Sequence, residues 1–149
     1  MADVVAALSY AKRQWPVIPL HTMSETGGCT CGAECSSPAK HPRNPHGLSE
    51  ASTDATTIQG WWDQWPNSNI GIATGQASGL LVVDVDRKSG GLESWASLQD
   101  IHGRVETLTS LTGGGGNHYL FSANGHQLRN TAGHQGRGGL HRSLPIPSC

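Results

Sequence analysis

The chain has 149 residues, enough for one domain with a buried core. Its formal net charge of −1 excludes a polybasic nucleic-acid tail and an acidic disordered one, and 14% charged with 36% apolar residues excludes a coiled coil. No apolar run approaches the roughly 20 residues that a membrane span needs, and no secretory signal pattern opens the chain. We therefore expect a soluble, cytoplasmic protein with no membrane partner.

The first third of the chain predicts a helix, a short strand and a long irregular stretch. Residues 2–14 have the spacing of an amphipathic helix. Its predicted apolar stripe consists of Val4, Val5, Leu8 and Ala11. Residues 15–20 contain two prolines and predict an extended segment at a sheet edge. Residues 21–47 show no periodicity, and so long an irregular stretch in a small domain indicates a function or a metal site.

The middle of the chain predicts a helix followed by two strands. Ser52-Thr53-Asp54 is a helix-capping sequence. The apolar residues that follow it at helical spacing are Ile58, Trp61, Trp62 and Trp65. We interpret these three tryptophans as core residues and not as base-stacking platforms. Residues 69–74 predict a short strand, and residues 80–86 predict a β-branched strand that is buried on both faces at its start.

The remaining elements alternate between helix and strand. Gly90-Gly91 opens a helix predicted near residues 92–101. Residues 107–112 and 118–121 predict two strands on either side of a run of glycines. Strands that alternate with helices indicate a mixed fold of the α/β or α+β class.

Three cysteines and a histidine cluster inside the irregular stretch, in the pattern Cys29-x-Cys31-x₃-Cys35-x₅-His41. Zinc binds four such ligands in a tetrahedron, so the cluster predicts a structural zinc site. His46 is an alternative fourth ligand. A disulfide is a competing interpretation, although three cysteines cannot all pair with one another. Free thiols are another, because the spacing matches no standard C-x₂-C knuckle.

A pair of carboxylates, Asp84 and Asp86, ends the strand predicted over residues 80–86. Alternation places both on one face, about 7 Å apart at their Cα atoms, with Val85 turned into the core. Such a pair can share hard divalent cations and support a two-metal displacement at phosphorus. The alternative is a strand end that enters solvent, where a carboxylate is hydrated or caps the next turn.

Four glycines directly precede the last predicted strand and its histidine, His118. They are Gly113, Gly114, Gly115 and Gly116. Backbone N–H groups of glycines can approach an anion closely, and a histidine at the mouth of such a loop can hydrogen-bond a triphosphate. The run is not a P-loop, because no Gly-Lys-Ser/Thr follows and a strand stands where a helix is needed. The alternative is a flexible hairpin loop with a surface histidine.

Taken in order, these segments resemble the N-terminal primase–polymerase (Prim-Pol) domain of bifunctional replication proteins, within the archaeo-eukaryotic primase superfamily. The resemblance runs from about residue 6 to about residue 139. It rests on six segments in the family's order, namely residues 10–20, the cysteine cluster through Arg43, residues 56–75, residues 79–86, Gly90-Gly91 and residues 112–121.

This resemblance implies an α+β fold: an RRM-like antiparallel sheet with flanking helices and a zinc-bearing loop insertion. It implies that Asp84 and Asp86 hold a catalytic Mg²⁺ or Mn²⁺, and that His118 contacts the phosphates of the incoming nucleotide. The glycine run would be a further nucleotide contact. Arg129 adjoins a matching segment and would be either another phosphate contact or a solvated loop residue. The implied activity is that of a DNA primase and DNA polymerase of a plasmid, phage or integrated element. Its partners would be a DNA template and primer, nucleoside triphosphates, and a helicase domain in longer relatives.

The end of the chain departs from this pattern. In the family a further strand carries a third metal-binding aspartate, whereas no acidic residue follows Glu106 here. We therefore expect residues 1–140 to form a truncated Prim-Pol domain without its last strand, residues 141–149 to be an aberrant tail, and the activity to be impaired. The competing functions are a catalytically inactive nucleotide- or DNA-binding remnant and a small zinc-stabilised interaction module.

Overall fold

The computed structural model describes residues 4–126, and this part of the chain forms two antiparallel sheets with flanking helices. The helices are α1 (Val4–Lys12), α2 (Ala55–Gln64) and α3 (Gly91–His102). The strands are β1 (Val17–Leu20), β2 (Asn69–Ile72), β3 (Leu80–Val85), β4 (Thr109–Leu111) and β5 (Asn117–Ser122). The mixed α+β class is confirmed, and every helix and strand predicted within the described residues is present.

The first helix buries a different stripe from the predicted one. Ala7 and Ala11 are buried, with Val4 and Leu8 packed beside them. Val5, which was placed on the stripe, is 68% exposed, so that prediction was wrong. The 3.6-residue period explains the difference, because steps of three and four from Val4 lead along one face while the next residue turns away from it.

The strand β1 fastens the irregular stretch to the first sheet. All four of its residues are buried, and it pairs antiparallel with β2. On its other side, Val17 exchanges two backbone hydrogen bonds of 2.9 Å with Ser52, and Pro19 accepts one from the backbone N–H of Arg43. The prolines therefore mark a strand at the edge of a two-stranded sheet, as predicted, but one whose outer side is covered by a loop.

The second helix begins at the predicted cap. Asp54 accepts hydrogen bonds from the backbone N–H and the hydroxyl of Thr57, which satisfies an N-terminal donor of α2. The three tryptophans do not share one environment. Trp62 is 4% exposed and belongs to the core, Trp61 is partly buried against it, and Trp65 is half-buried as the C-terminal cap.

The second sheet has the order β3-β5-β4 and two different faces. Leu80 and Leu120 lie on the face that joins the hydrophobic core of α1 and α2. The opposite face carries Tyr119, whose ring packs against Trp95 of α3 with 4.6 Å between centroids. Residues 81–83 of β3 are only half-buried, so the predicted double burial at the start of the strand was wrong. Among the described strands, β3 lies at the edge of this sheet.

No helix within residues 4–126 is both long and apolar enough to cross a membrane. Several expectations lie outside the described residues: the loss of a last strand, the boundary near residue 140, the aberrant tail over residues 141–149, and the role of Arg129.

Candidate functional site

The two carboxylates lie where β3 ends. Asp84 is the fifth residue of this six-residue strand, and Asp86 follows the strand directly. Val85 between them is 4% exposed, while the side chain of Asp84 is 36% exposed. The alternation predicted from the sequence is therefore present, with the apolar residue turned inward and both acids outward.

His118 lies beside Asp84 because β3 and β5 pair in register at these two residues. The Nε2 atom of His118 is 3.4 Å from Oδ1 of Asp84. His118 is only 5% exposed, so the alternative of a surface histidine was wrong. Its Nδ1 atom is buried and makes no hydrogen bond within residues 4–126.

Asp86 has a structural task as well as an exposed position. Its Oδ1 atom accepts a hydrogen bond of 2.9 Å from the backbone N–H of Lys88 and so caps the short 3₁₀ turn Arg87–Ser89. Capping was the alternative to metal binding, and it is observed. It does not exclude a metal, since a carboxylate has two oxygens with about four lone-pair sites.

Two glycines allow the chain to pack tightly around the strand end. A Cβ atom on Gly91 would lie 2.5 Å from the backbone oxygen of Asp86. A Cβ atom on Gly116 would lie 2.3 Å from the backbone oxygen of Val85. Both distances are shorter than van der Waals contact, so each position requires glycine for packing, and together these contacts fix the backbone on either side of Asp86.

The glycine run forms the hairpin turn between β4 and β5, as its alternative interpretation proposed. The N–H groups of Gly115 and Gly116 bond within the turn, to the backbone oxygen and the hydroxyl of Thr112. The N–H groups of Gly113 and Gly114 make no hydrogen bond in the described part of the chain. Only half of the glycine amides are therefore free to meet an anion.

Two further residues adjoin this site that the sequence analysis did not select. Arg87 lies against the glycine turn, since its Nη1 atom would be 3.6 Å from a Cβ atom on Gly115. Ser110 of β4 pairs in register with His118. The place of Arg87 directly after Asp86 was a usable signal in the sequence, whereas the register that selects Ser110 is set only by the folded sheet.

The cysteine cluster converges in space. The ligand atoms of Cys29, Cys31, Cys35 and His41 all lie within 4.8 Å of one another, and this is the one such group in the described part of the chain. The three thiols are free, so the disulfide interpretation is wrong. His46 pairs with Glu50 at 3.2 Å instead, which leaves His41 as the fourth ligand. Three sulfurs and one imidazole nitrogen are a donor set that fits zinc.

Cys29 and Cys35 differ in pKa because their burial and hydrogen bonds differ. The backbone N–H of Ala39 donates to Sγ of Cys29 at 3.4 Å, and mainly for this reason the pKa of Cys29 is lowered to about 6. Burial, together with the hydrogen bonds that its thiol donates to Cys29 and Cys31, raises the pKa of Cys35 to about 11. Cys29 is therefore mostly a thiolate at neutral pH, whereas Cys35 must lose its proton when a metal binds.

Contacts around the cluster hold the loop against the first sheet. The ring of His21 packs against that of His41 at a tilt of 33° with 4.5 Å between centroids, and the backbone N–H of His21 donates to the backbone oxygen of His41. The side-chain amide of Asn69 in β2 donates to the backbone oxygens of His21 and Ala39. The cluster is therefore anchored to β1 and β2, at a distance in sequence from the carboxylates.

One comparison with known proteins returned a match. A family model described as the N-terminal domain of bifunctional DNA primase/polymerase (Prim-Pol) matches residues 7–144. The match includes the cysteine cluster, both carboxylates and His118, and it continues past residue 139, where the resemblance was expected to end. No curated protein and no solved structure matched the chain.

Proposed function

The chain belongs to the Prim-Pol family of bifunctional DNA primase/polymerase N-terminal domains, whose model covers most of its length, and from this membership we propose that it extends a DNA primer by template-directed nucleotidyl transfer. The domain is of the primase/polymerase type. The substrates are a template with its primer and nucleoside triphosphates. A 3′-hydroxyl attacks the α-phosphorus, the new phosphodiester bond forms, and pyrophosphate leaves.

The observation that carries this proposal is the pairing of Asp84 with His118 at the strand end where Asp86 follows. Carboxylate oxygens are the ligands that Mg²⁺ and Mn²⁺ prefer, and both acids are exposed. A bound divalent cation supplies charge stabilisation for the entering and leaving oxygens. The donor set fits such a cation, since Asp86 uses one oxygen as a cap and retains the other.

The remaining residues bind and orient the nucleotide. His118 contacts the triphosphate, and Asp84 keeps its ring in place through Nε2. The free amides of Gly113 and Gly114 offer hydrogen bonds to phosphate oxygens at the turn. Arg87, which lies against the same turn, adds positive charge there.

We propose further that the activity is low. Two carboxylates hold divalent cations more weakly than three do, and the region that matches the family, residues 7–144, contains no acidic residue after Glu106. We also propose that the cysteine cluster binds a structural zinc ion that stabilises the loop over residues 21–47, because its ligand atoms converge.

Primer extension with Mn²⁺ tests the proposed function. We expect wild type to add nucleotides slowly to a primed template, and Asp84→Asn to reduce the rate at least about a hundredfold, as expected when a metal ligand is lost. Asp100→Asn is the matched control, because Asp100 is exposed on α3. Equal rates for wild type and Asp84→Asn would contradict the proposal. If wild type binds triphosphate but does not extend the primer, the inactive remnant is favoured. If it does neither, the interaction module is favoured.

A further inference from the structure

A cleft of about 540 Å³ lies between the cysteine-bearing loop and the C-terminal end of α2. Met23 and Glu25 line it from the loop, Trp65 and Asn67 line it from the helix end, and Arg43 lines it as well. Its volume falls in the range of about 300 to 1,000 Å³ that is typical of ligand sites. None of the carboxylates, cysteines or glycine-turn residues described above lines this cleft, so it is a separate feature of the surface.

Arg43 is held in a fixed orientation at this cleft. Its Nε donates to the backbone oxygen of Leu20 and its Nη2 to the hydroxyl of Thr30, both at 3.2 Å. Its guanidinium carbon lies 6.0 Å from the centre of the Trp65 ring. The other terminal nitrogen, Nη1, makes no hydrogen bond within residues 4–126. A guanidinium that is already ordered loses little entropy when it accepts an anion.

Trp65 differs from the other two tryptophans of its helix. Trp62 is buried and Trp61 packs against the core, whereas Trp65 caps the helix and lines the cleft. Met23, across the cleft, is 51% exposed. An aromatic face next to an arginine is the combination that single-strand-binding grooves use, with bases stacked on the ring and phosphates on the cation.

We propose that this cleft binds single-stranded DNA, with one base stacked on Trp65 and the adjoining backbone phosphate on Nη1 of Arg43. The choice of DNA as the partner rests on the proposed function. The stacking surface and the cation are features of the cleft itself. Among the described residues that line the cleft, Arg43 is the one cation, and Glu25 is an anion. This balance suits a phosphodiester with one negative charge better than a free nucleoside triphosphate, which carries several.

The cleft is coupled to the cysteine cluster through Thr30. This residue accepts from Arg43 and lies between Cys29 and Cys31 in the sequence, while the cluster residues Cys29 and His41 are 3.4 Å apart. A metal bound at the cluster would therefore help to hold the loop wall of the cleft in place, and its removal should weaken DNA binding without any change in Trp65.

Fluorescence anisotropy with a labelled oligothymidylate of about ten nucleotides tests the proposal on the full zinc-loaded chain without Mg²⁺ or Mn²⁺. We expect Trp65→Leu to weaken binding about tenfold, Trp65→Phe to retain most of the affinity, and Arg43→Gln to weaken binding severalfold. Arg13→Gln is the matched control, since Arg13 lies over Trp15 at 5.6 Å but does not line this cleft. Wild-type affinity in Trp65→Leu, or displacement of the oligonucleotide by equimolar dTTP, would overturn the proposal.

A second measurement needs no variant and so does not depend on how Trp65→Leu folds. Ultraviolet cross-linking of a bromodeoxyuridine oligonucleotide to wild type should label the peptides that contain Met23 or Trp65. Labels confined to the peptide that contains Asp84 would overturn the proposal. Asp84→Asn separates this proposal from the catalytic one, because it should abolish primer extension and leave the cross-links unchanged.

Discussion

The cysteine cluster and the carboxylate pair are two regions of one molecule that assemble ligands in opposite ways. The cysteine cluster draws its four ligands from one short loop, and their atoms lie within 4.8 Å of one another. The carboxylate site joins Asp84 to His118 across two strands, and its second acid caps a turn. The loop thus presents a closed set of four ligand atoms, whereas the end of β3 leaves both carboxylates exposed to solvent.

The backbone around each region matches its task. The loop is tied to β1 and β2 by hydrogen bonds from Asn69 and Arg43, so its ligands are held from several sides. The carboxylate site at the end of β3 is fixed instead by close backbone packing at Gly91 and Gly116. The side chains of Asp84 and Asp86 remain exposed. A structural ion needs a closed set of ligands, while a catalytic ion needs open positions.

The largest effect should come from breaking the cysteine cluster. Cys35→Ser removes one of four ligands, so we expect the zinc content to fall from about one ion per chain to nearly none and the melting temperature to fall by more than about 10 °C. Elemental analysis and circular dichroism measure both quantities. Asp84→Asn is the control and should retain its zinc. A zinc content that Cys35→Ser leaves unchanged would contradict the assignment of the two regions.

A smaller effect should come from disturbing the packing of Gly116 against the end of β3. Gly116→Ala places a methyl group 2.3 Å from the backbone oxygen of Val85, and we expect it to lower the free energy of unfolding by about 1 to 3 kcal/mol. Gly113→Ala is the matched control on the same turn, because a Cβ atom there meets nothing within 4 Å. Urea denaturation compares the two. Equal stability of both variants would show that the contact between Gly116 and Val85 does not stabilise the end of β3.

The smallest expected effect concerns the pH dependence of the cluster in metal-free protein. Because the pKa of Cys29 is about 6 and that of Cys35 about 11, Cys29 is mostly a thiolate at pH 7 whereas Cys35 is a thiol. Iodoacetamide should therefore alkylate Cys29 at least about ten times faster than Cys35 at pH 7. The alkylation rate of Cys29 should fall as the pH falls through 6, where Cys29 gains a proton, while its preference over Cys35 should persist. Peptide mass mapping gives the order, and prior modification of Cys35 would contradict it.

Much of the fold follows from local sequence signals. Asp54 caps its helix and Val85 turns inward between two acids, since each depends only on residues within one turn or one strand. The convergence of the cysteines was also predictable, because all of them lie in one loop. The burial of His118 and the exposure of Val5 were not, since both depend on which distant element packs against them.

The dependence on distant elements also explains why the sequence did not predict the cleft at Trp65. Trp65 shares the helical spacing of Trp62, yet it lines a cleft together with residues of the cysteine-bearing loop. Arg43 lies 22 positions before Trp65, and only the folded loop brings its guanidinium over the ring. Such pairs are set by long-range packing and leave no periodic trace in the sequence.

We propose that Asp84 and Asp86, and not the cysteine cluster, bind the catalytic cation. Mn²⁺ binding measured by electron paramagnetic resonance on zinc-loaded protein tests this most directly. We predict that wild type removes part of the free Mn²⁺ signal, that Asp84→Asn loses this binding, and that Asp100→Asn retains it. Mn²⁺ binding by Asp84→Asn that equals that of wild type would contradict the claim.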